Sequence, residues 1–523
     1  MTASAVAGPA TGSRRVPANS ARLQTALPHV LLALVMTVCL ALASTSPPRR
    51  TGDAHQYLAM ALQLEALRPP SLSPADQAAL TAWIEEQPPD SGFAASAAAL
   101  RQPALIRDGR QEFSHFWLYP LLASPALAMT QISGAHPIAA FLVTNSLLVI
   151  GALLAVTRTF GVAAALCLLA TPVIWFLPRA QVELFMFAFI TLAVCAAARG
   201  WWVVGALALA VAATQNLPVA AGVIIFWAMG VLAYRAQRSG QRVALANEKA
   251  GTIRLLAVVA TTCTLALLHP AYYLWRLGVA TPQQLNGGIA GMPPNLTRYL
   301  APLLDPDIGM AWWMPVPVVA TVAGVALVMR RPGNLRPEDQ RLLVACAGLS
   351  AWLMFAVAQT TNINSGGRVH VSRYTLWLLP LLLPFLAPAL RFAMSRAPRA
   401  FPALLAAICL LYAHTFQPEQ PERYVEFSPQ SRWLMEHATP LYRPLPEIFV
   451  ERALHTDGGP RLSAVSADCR IMYLASASPP ACPLEPDEAA DVASRFARGD
   501  TALWLRRDGA RLPGEPAIAP VAP

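Results

Sequence analysis

Residues 26–62 read ALPHVLLALVMTVCLALASTSPPRRTGDAHQYLAMAL, and this stretch decides the fold. From Ala26 to Ser44 there are 19 residues without an aspartate, glutamate, lysine or arginine, the length that crosses a hydrocarbon core about 30 Å thick. Arg14, Arg15 and Arg22 precede the run, so its N-terminal end is expected on the cytoplasmic side. Signal-peptide cores are shorter, about 7–15 residues, and the run reads as an uncleaved anchor. Directly after it come Asp53, His55 and Tyr57, polar groups placed where the chain has just left a membrane.

The rest of the chain repeats the pattern. It has 523 residues, of which 55% are hydrophobic and only 13% charged, against about 25% charged in a soluble domain. Apolar runs recur at 26–44, 116–132, 137–157, 161–177, 181–198, 201–217, 219–233, 255–275, 313–329, 342–358, 375–390 and 400–416. They predict an all-α polytopic membrane protein with about 11–13 membrane helices. The 47 prolines fit, because membrane helices tolerate proline where neighbours satisfy the freed carbonyls. The net charge of +10 does not indicate nucleic acid: the arginines sit in loops between apolar runs, as topology signals and lipid headgroup contacts do.

Basic loops set the topology. Besides the N-terminus they are 234–254 (Arg235, Arg238, Arg242, Lys249, Arg254), 330–341 (Arg330, Arg331, Arg336, Arg341) and 391–399 (Arg391, Arg396, Arg399). From Arg254 onward two spans separate each basic loop from the next, which places the C-terminal segment outside the cytoplasm. In the first half seven apolar runs lie between two basic segments, where an even number must cross. Either 201–233 is one broken span or one run does not traverse. Segment 116–132, short and carrying Pro120 and Pro125, is expected to be re-entrant or juxtamembrane, although the opposite choice reverses Arg158, Glu183, Arg199 and Thr214–Asn216. Under both counts Asp53 faces outward. The division expected is a disordered cytoplasmic N-terminus (1–25), a membrane domain (26–416, with a first outer loop at 45–115) and a small extracytoplasmic domain (417–523). A multi-pass bacterial-type inner membrane protein is the expected setting.

Polar residues at the membrane rim are the site candidates. In "DAHQ", Asp53 and Gln56 have capping-box spacing, and a helix "HQYLAMALQLEAL" would lay Leu58, Leu62 and Leu67 on the bilayer surface. Asp53 also reads as a general base at the rim, and the two roles are compatible. Ser73, Pro74 and Asp76 open a second outer helix. Arg107, Arg110, Glu112 and His115 reach the rim, His115 beside Trp117 and Tyr119 in an aromatic belt. Glu183 heads an apolar span, where a carboxylate is either functional or a dipole contact with Arg179 as i,i+4 partner. "TQN" (Thr214–Asn216) before Pro218 breaks a span, as a cavity lining or a turn. Arg368, His370 and Arg373, beside Gly366 and Gly367, read as a clamp for a phosphate diester or as headgroup anchors. The long loop with Arg298, Asp305 and Asp307 reads as functional or mobile. Of eight cysteines only Cys469 and Cys482 lie in a polar region, and outside the cytoplasm they are a candidate disulfide. No Walker, GxGxxG, HExxH or CxxC motif occurs.

The layout "GDAHQYLAMA", "FWLYPLLASP", "QVELFMFAF", "ATQNLP", "LLDPDIGMAWWMPVP" and "SRYTLWLLPLLLP" resembles the GT-C superfamily of polyprenyl-phosphate-sugar-dependent glycosyltransferases, which includes protein O-mannosyltransferases and lipid A aminoarabinose transferases. The resemblance is one of pattern, over about residues 26–416. It implies that Asp53 is the base activating the acceptor and Glu183 the second catalytic acid. His55, Tyr57, His115, Gln215, Arg298, Arg368, His370 and Arg373 are implied as substrate-binding residues. Where the superfamily often has a second acid this chain has Ala54 and His55, so no firm cofactor is implied and a divalent metal stays open. Gln215 stands where a phosphate-contacting lysine is frequent, which shifts that role to Arg368 and Arg373. The partners implied are a polyprenyl-phosphate-linked sugar donor, a lipid, glycan or protein acceptor, and membrane lipids. A permease or a lipid-linked-sugar polymerase or ligase is the competing reading.

Overall fold

The computed structural model describes residues 18–88, 91–93, 96–240, 248–286, 295–330, 335–360, 363, 371–415, 426–438, 441–454, 464–465, 471–474, 484–500, 503–506 and 518–520. The helices are α1 (Ala18–Ser44), α2 (Ala54–Glu65), α3 (Pro74–Glu85), α4 (Ser96–Ala99), α5 (Leu118–Ser133), α6 (Ala139–Phe160), α7 (Val162–Leu169), α8 (Glu183–Ala198), α9 (Trp202–Ala213), α10 (Ala220–Gly240) and α11 (Glu248–Leu277). They continue with α12 (Gln283–Asn286), α13 (Leu296–Leu304), α14 (Met310–Trp313), α15 (Pro315–Met329), α16 (Pro337–Ala358), α17 (Thr375–Leu378), α18 (Leu383–Arg396), α19 (Ala400–His414), α20 (Pro429–His437), α21 (Pro446–Leu454) and α22 (Pro486–Ala497). The protein is a helical multi-pass membrane protein. Among the described residues six segments are long and apolar enough to cross a bilayer: 26–44, 139–160, 217–236, 256–277, 337–358 and 375–396. Four shorter apolar helices, α8, α9, α15 and α19, join them.

Two of the apolar runs fall outside these helices. Run 116–132 forms α5, 16 residues long and packed on α2 and α6. Run 161–177 breaks after the eight residues of α7 into a 3-10 turn at Pro172–Phe176. Eight helical residues rise about 12 Å, far short of a bilayer. The break at Thr214–Asn216 ends α9, and α10 follows after a 3-10 turn at Leu217–Val219.

Burial follows helical spacing. On α1, Val35, Cys39 and Ala43 face inward at intervals of four, while Val30 and Leu34 are exposed toward lipid. The middle of the bundle is α8, apolar on every side and buried along almost its whole length between α6, α9 and the segment after Arg373. On α15, Pro317, Ala320 and Gly324 form the buried stripe against α18. A Cβ at Gly324 would stand 1.9 Å from the Phe385 carbonyl oxygen, so only glycine permits this approach.

The first loop folds onto the helices. Ser73 and Asp76 form the expected capping box of α3, with Pro74 in its first turn. Helix α2 departs from the bilayer-surface reading: Leu58 is 1% exposed and the helix is buried against α5, whereas Leu67 lies beyond its end, 95% exposed at φ +54. The hairpin β1 (Ile106–Arg107) and β2 (Arg110–Gln111) is fastened to the end of α11, where Arg276 pairs with Glu112 at 2.5 Å and the Tyr272 hydroxyl donates to it at 3.0 Å.

The C-terminal segment departs from an all-α description. Strands β3 (Ala464–Val465), β4 (Ile471–Leu474), β5 (Leu503–Arg506) and β6 (Ile518–Pro520) form one antiparallel sheet in that order. Met472, Leu474, Leu503 and Leu505 pack with Val492 of α22. A second small core joins Met435, Tyr442, Phe449, Val450 and Tyr473. Cys469 and Cys482 lie outside the described residues.

Candidate active site

Four helix heads meet in one polar cluster: the starts of α2, α5, α8 and α17. Asp53 precedes α2 at φ −85, ψ 18 and makes no side-chain cap bond. Capping needs an extended backbone at that residue. The turned backbone aims the carboxylate elsewhere, and Asp53 Oδ2 lies 3.0 Å from His115 Nε2. Gln56, three residues on, donates from Nε2 to Asp53 Oδ1 at 3.4 Å, and its Oε1 accepts from the Ser114 hydroxyl at 2.9 Å and backbone N–H at 3.2 Å. That bridge carries His115 to the carboxylate. The residue pair read as a capping box is therefore a clamp between α2 and the loop before α5.

Tyr57, one turn along α2, packs its ring 4.9 Å from the His115 ring and 5.4 Å from Tyr119. The Tyr119 hydroxyl donates to Asn145 Oδ1 at 2.9 Å. Asn145 Nδ2 in turn donates to the carbonyls of Leu177 at 3.1 Å and Arg179 at 2.7 Å. This fully buried knot fixes the loop that delivers Glu183. Glu183 Oε1 lies 3.8 Å from Arg373 Nη1, and Glu183 Oε2 is buried without a hydrogen bond. Arg179 sits over the Phe176 ring. Arg373 stacks over Tyr374, 5.1 Å from the ring centroid, and donates to its hydroxyl at 3.2 Å.

The electrostatics tie these groups together. Burial alone would raise the Asp53 carboxyl, but His115, by charge and hydrogen bond, then His55 and Arg373 outweigh it and hold it well below the usual carboxylate range. Burial lowers His55 to about 4, against the pull of Asp53, and leaves its imidazole neutral at neutral pH. Burial disfavours the Arg373 cation, yet Tyr374, Glu183 and Asp53 push its pKa up. Asp53, His115 and Arg373 keep 36%, 20% and 19% of their side chains accessible, while Glu183 is sealed at 1%. The cluster thus offers an ionised carboxylate, an imidazole and a guanidinium to a ligand, with a second carboxylate behind the guanidinium.

Gln215 is buried at the broken span, its Nε2 without a hydrogen bond. The Thr214 carbonyl beside it lies 2.8 Å from His269 Nδ1. His269 was not singled out from the sequence. A histidine inside the apolar run of α11 is the signal that would have found it, since ionisable residues within spans default to functional roles. Arg298 is not in the cluster: it is fully buried, pairs with Glu447 at 2.5 Å and donates to the carbonyls of Ala358 and Thr360. Arg368 and His370 lie outside the described residues. No group of three His, Cys, Asp or Glu residues able to hold a metal ion occurs among the described residues.

Fold and side chains together define a multi-pass membrane protein with an acid–imidazole pair and a caged arginine at one rim of the helices. No protein-family model matches the chain, and no curated protein matches it. Among solved structures it is similar to ArnT from Cupriavidus metallidurans bound to undecaprenyl phosphate, at 13% identity and TM-score 0.45, over 82% of this chain and 82% of that one. It is also similar to the apo state of that ArnT, at 13% identity and TM-score 0.44, over 75% of this chain and 76% of that one.

Proposed function

We propose that the protein is a membrane glycosyltransferase that moves a sugar from a polyprenyl-phosphate donor to an acceptor hydroxyl on the extracytoplasmic face, with its N-terminus inside and C-terminal segment outside. The observation that carries this reading is the meeting of the Asp53–His115 pair with the Glu183–Arg373 pair in one accessible polar cluster. Transfer of this kind needs an anionic acceptor for the hydroxyl proton and a cation for the leaving phosphate, close together at the bilayer edge, where the donor's lipid tail stays in hydrocarbon.

In the proposed step the acceptor oxygen attacks the anomeric carbon while the bond from that carbon to the phosphate oxygen breaks. The electron pair leaves with the polyprenyl phosphate, and the hydroxyl proton passes to Asp53. The low pKa of Asp53 makes it a weak base, so its proton transfer is late; until then the carboxylate orients the hydroxyl. Arg373 neutralises the charge that builds on the phosphate, the larger part of the catalysis in such displacements. His115 aligns Asp53, and Glu183 aligns Arg373. Tyr57 packs on the His115 ring and His55 stands near Asp53.

Asp53→Asn is expected to lower sugar transfer from a membrane extract by about 10²–10⁴-fold, the usual cost of losing a general base. Polyprenyl-phosphate-linked material should co-purify with the wild type and be identified by mass. Normal turnover in Asp53→Asn, in protein free of lipid phosphate, refutes the reading.

A further inference from the structure

The segment that presents Arg373 is held from outside the membrane helices. The Ser372 backbone N–H donates to the Ile308 carbonyl at 3.0 Å, so the loop after α13 sets the register of the residue before Arg373. That loop is a closed turn. Asp305 Oδ1 accepts the backbone N–H groups of Asp307 at 2.7 Å and Ile308 at 3.1 Å, and the Gly309 N–H donates to the Asp305 carbonyl at 2.7 Å. A Cβ at Gly309 would stand 2.5 Å from that carbonyl oxygen, which fixes glycine here.

The turn is gripped in its turn by the C-terminal segment. Arg452 of α21 pairs with Asp307 Oδ2, and the Ser428 N–H donates to Asp307 Oδ1 at 2.6 Å. The Ser428 hydroxyl donates to the Pro306 carbonyl at 3.2 Å, and the Tyr442 hydroxyl to Asp305 Oδ1 at 3.2 Å. Nearby, Glu447 of α21 binds Arg298 of α13. Asp307, Arg298, Glu447 and Arg452 are at most 1% exposed. Apolar contacts would attach a tail more cheaply, since burying ions costs about as much as their attraction returns. What directional charge pairs add is register.

We infer that Asp307 and Arg452 are positioning residues for Arg373: the C-terminal segment, through the 305–309 turn, sets the guanidinium that faces Glu183 and Asp53. The inference rests on the phosphate role proposed for Arg373. It makes the C-terminal segment part of donor binding.

The test uses full-length protein in detergent, with undecaprenyl phosphate as the probe and the folded fraction measured alongside. Arg452→Met is expected to weaken binding by about tenfold or more at equal folded fraction, and Arg452→Lys, which keeps the charge but not the fork that reaches both Asp307 and Glu451, to recover only part of it. Val492→Ala, in the apolar core of α22, is expected to loosen the C-terminal segment yet leave binding within about twofold, because it touches none of the turn's partners. Should Arg452→Met fail to fold, Tyr442→Phe, which removes only the hydroxyl on Asp305, is expected to weaken binding about threefold. Unchanged binding in a folded Arg452→Met or Tyr442→Phe, or an equal loss in Val492→Ala, overturns the inference. Arg373→Ala separates the two claims: if it abolishes binding while Arg452→Met does not, the site stands and the positioning role falls, and if it binds normally the site itself falls.

Discussion

Removing the Arg373 side chain, as Arg373→Met, tests catalysis and stability together, and a second substitution separates them. Arg373 Nη1 is 3.8 Å from Glu183 Oε1, a carboxylate 1% exposed with its other oxygen lacking a hydrogen bond. At that distance and an effective dielectric of about 20 the pair is worth about 4 kcal/mol. Stripping one partner from a buried pair costs about 3–5 kcal/mol, because the remaining charge is stranded. Arg373→Met should therefore lose about that much stability, read by equilibrium unfolding as SDS is titrated into mixed micelles. Glu183→Gln on the same background removes the stranded charge and should return most of the loss. Turnover is expected to behave differently: Arg373→Met should lower sugar transfer by at least about 10²-fold, as loss of a transition-state charge partner does. The double variant should stay as inactive as the single one. If turnover returned together with stability, Arg373 would be a structural partner of Glu183 and nothing more, and the phosphate role would be refuted.

Three further outcomes are expected. Burial, with Asp307 beside it, pushes the Asp305 carboxyl up to about 7, against hydrogen bonds from its own turn and Tyr442. The folded protein then holds this proton more tightly than the unfolded chain does. Its contribution is full below about pH 4, falls by about 4 kcal/mol as pH rises to about 7 and is flat above that, so the denaturation midpoint of the wild type should decline between about pH 4 and 7, and Asp305→Asn should remove that decline. Asn145→Leu should cost about 2–3 kcal/mol, since it leaves the Tyr119 O–H and the Leu177 carbonyl without their partner, while the Arg179 carbonyl keeps the Gln181 N–H, and a denaturation midpoint unchanged from wild type would contradict the knot. Gly324→Ala should cost about 1–3 kcal/mol by forcing α15 from the Phe385 carbonyl, again read from the denaturation midpoint.

The membrane helices were legible because hydrophobic length is a local property. Runs such as 26–44 and 337–358 need no partner to declare themselves. Run 161–177 misled for the same reason: composition cannot see that α7 stops after Leu169, in a turn where the Thr171 side chain accepts the Val173 N–H. Asp53 was legible as a residue of interest, with cap and general base both open. The spacing to Gln56 suits a capping box, and only the backbone angle, with Ser114 arriving from 58 residues away to occupy Gln56, shows that the pair serves His115. Arg298 reads like any other outer-loop cation until its partner appears 149 residues downstream. The charge pattern of "LLDPDIG" marked a working loop, while the identity of its work was written in α21.

That division has a physical cause, and it bears on function. A polar group in an apolar chain is tolerated where water or another polar group can reach it, so the heads of helices collect the polar residues that sequence inspection notices. Asp53, His115, Glu183 and Arg373 each stand within a few residues of such a head. The starts of α2, α8 and the helix after Arg373 carry their positive dipole ends toward the same cluster. Those ends, with Arg373, favour anions there and help keep Asp53 ionised beside a sealed Glu183. A neutral solute has little use for a positive field. A lipid phosphate, anchored by its tail at this depth and leaving with added charge, does, and this is why the cluster reads as a place where a phosphate departs.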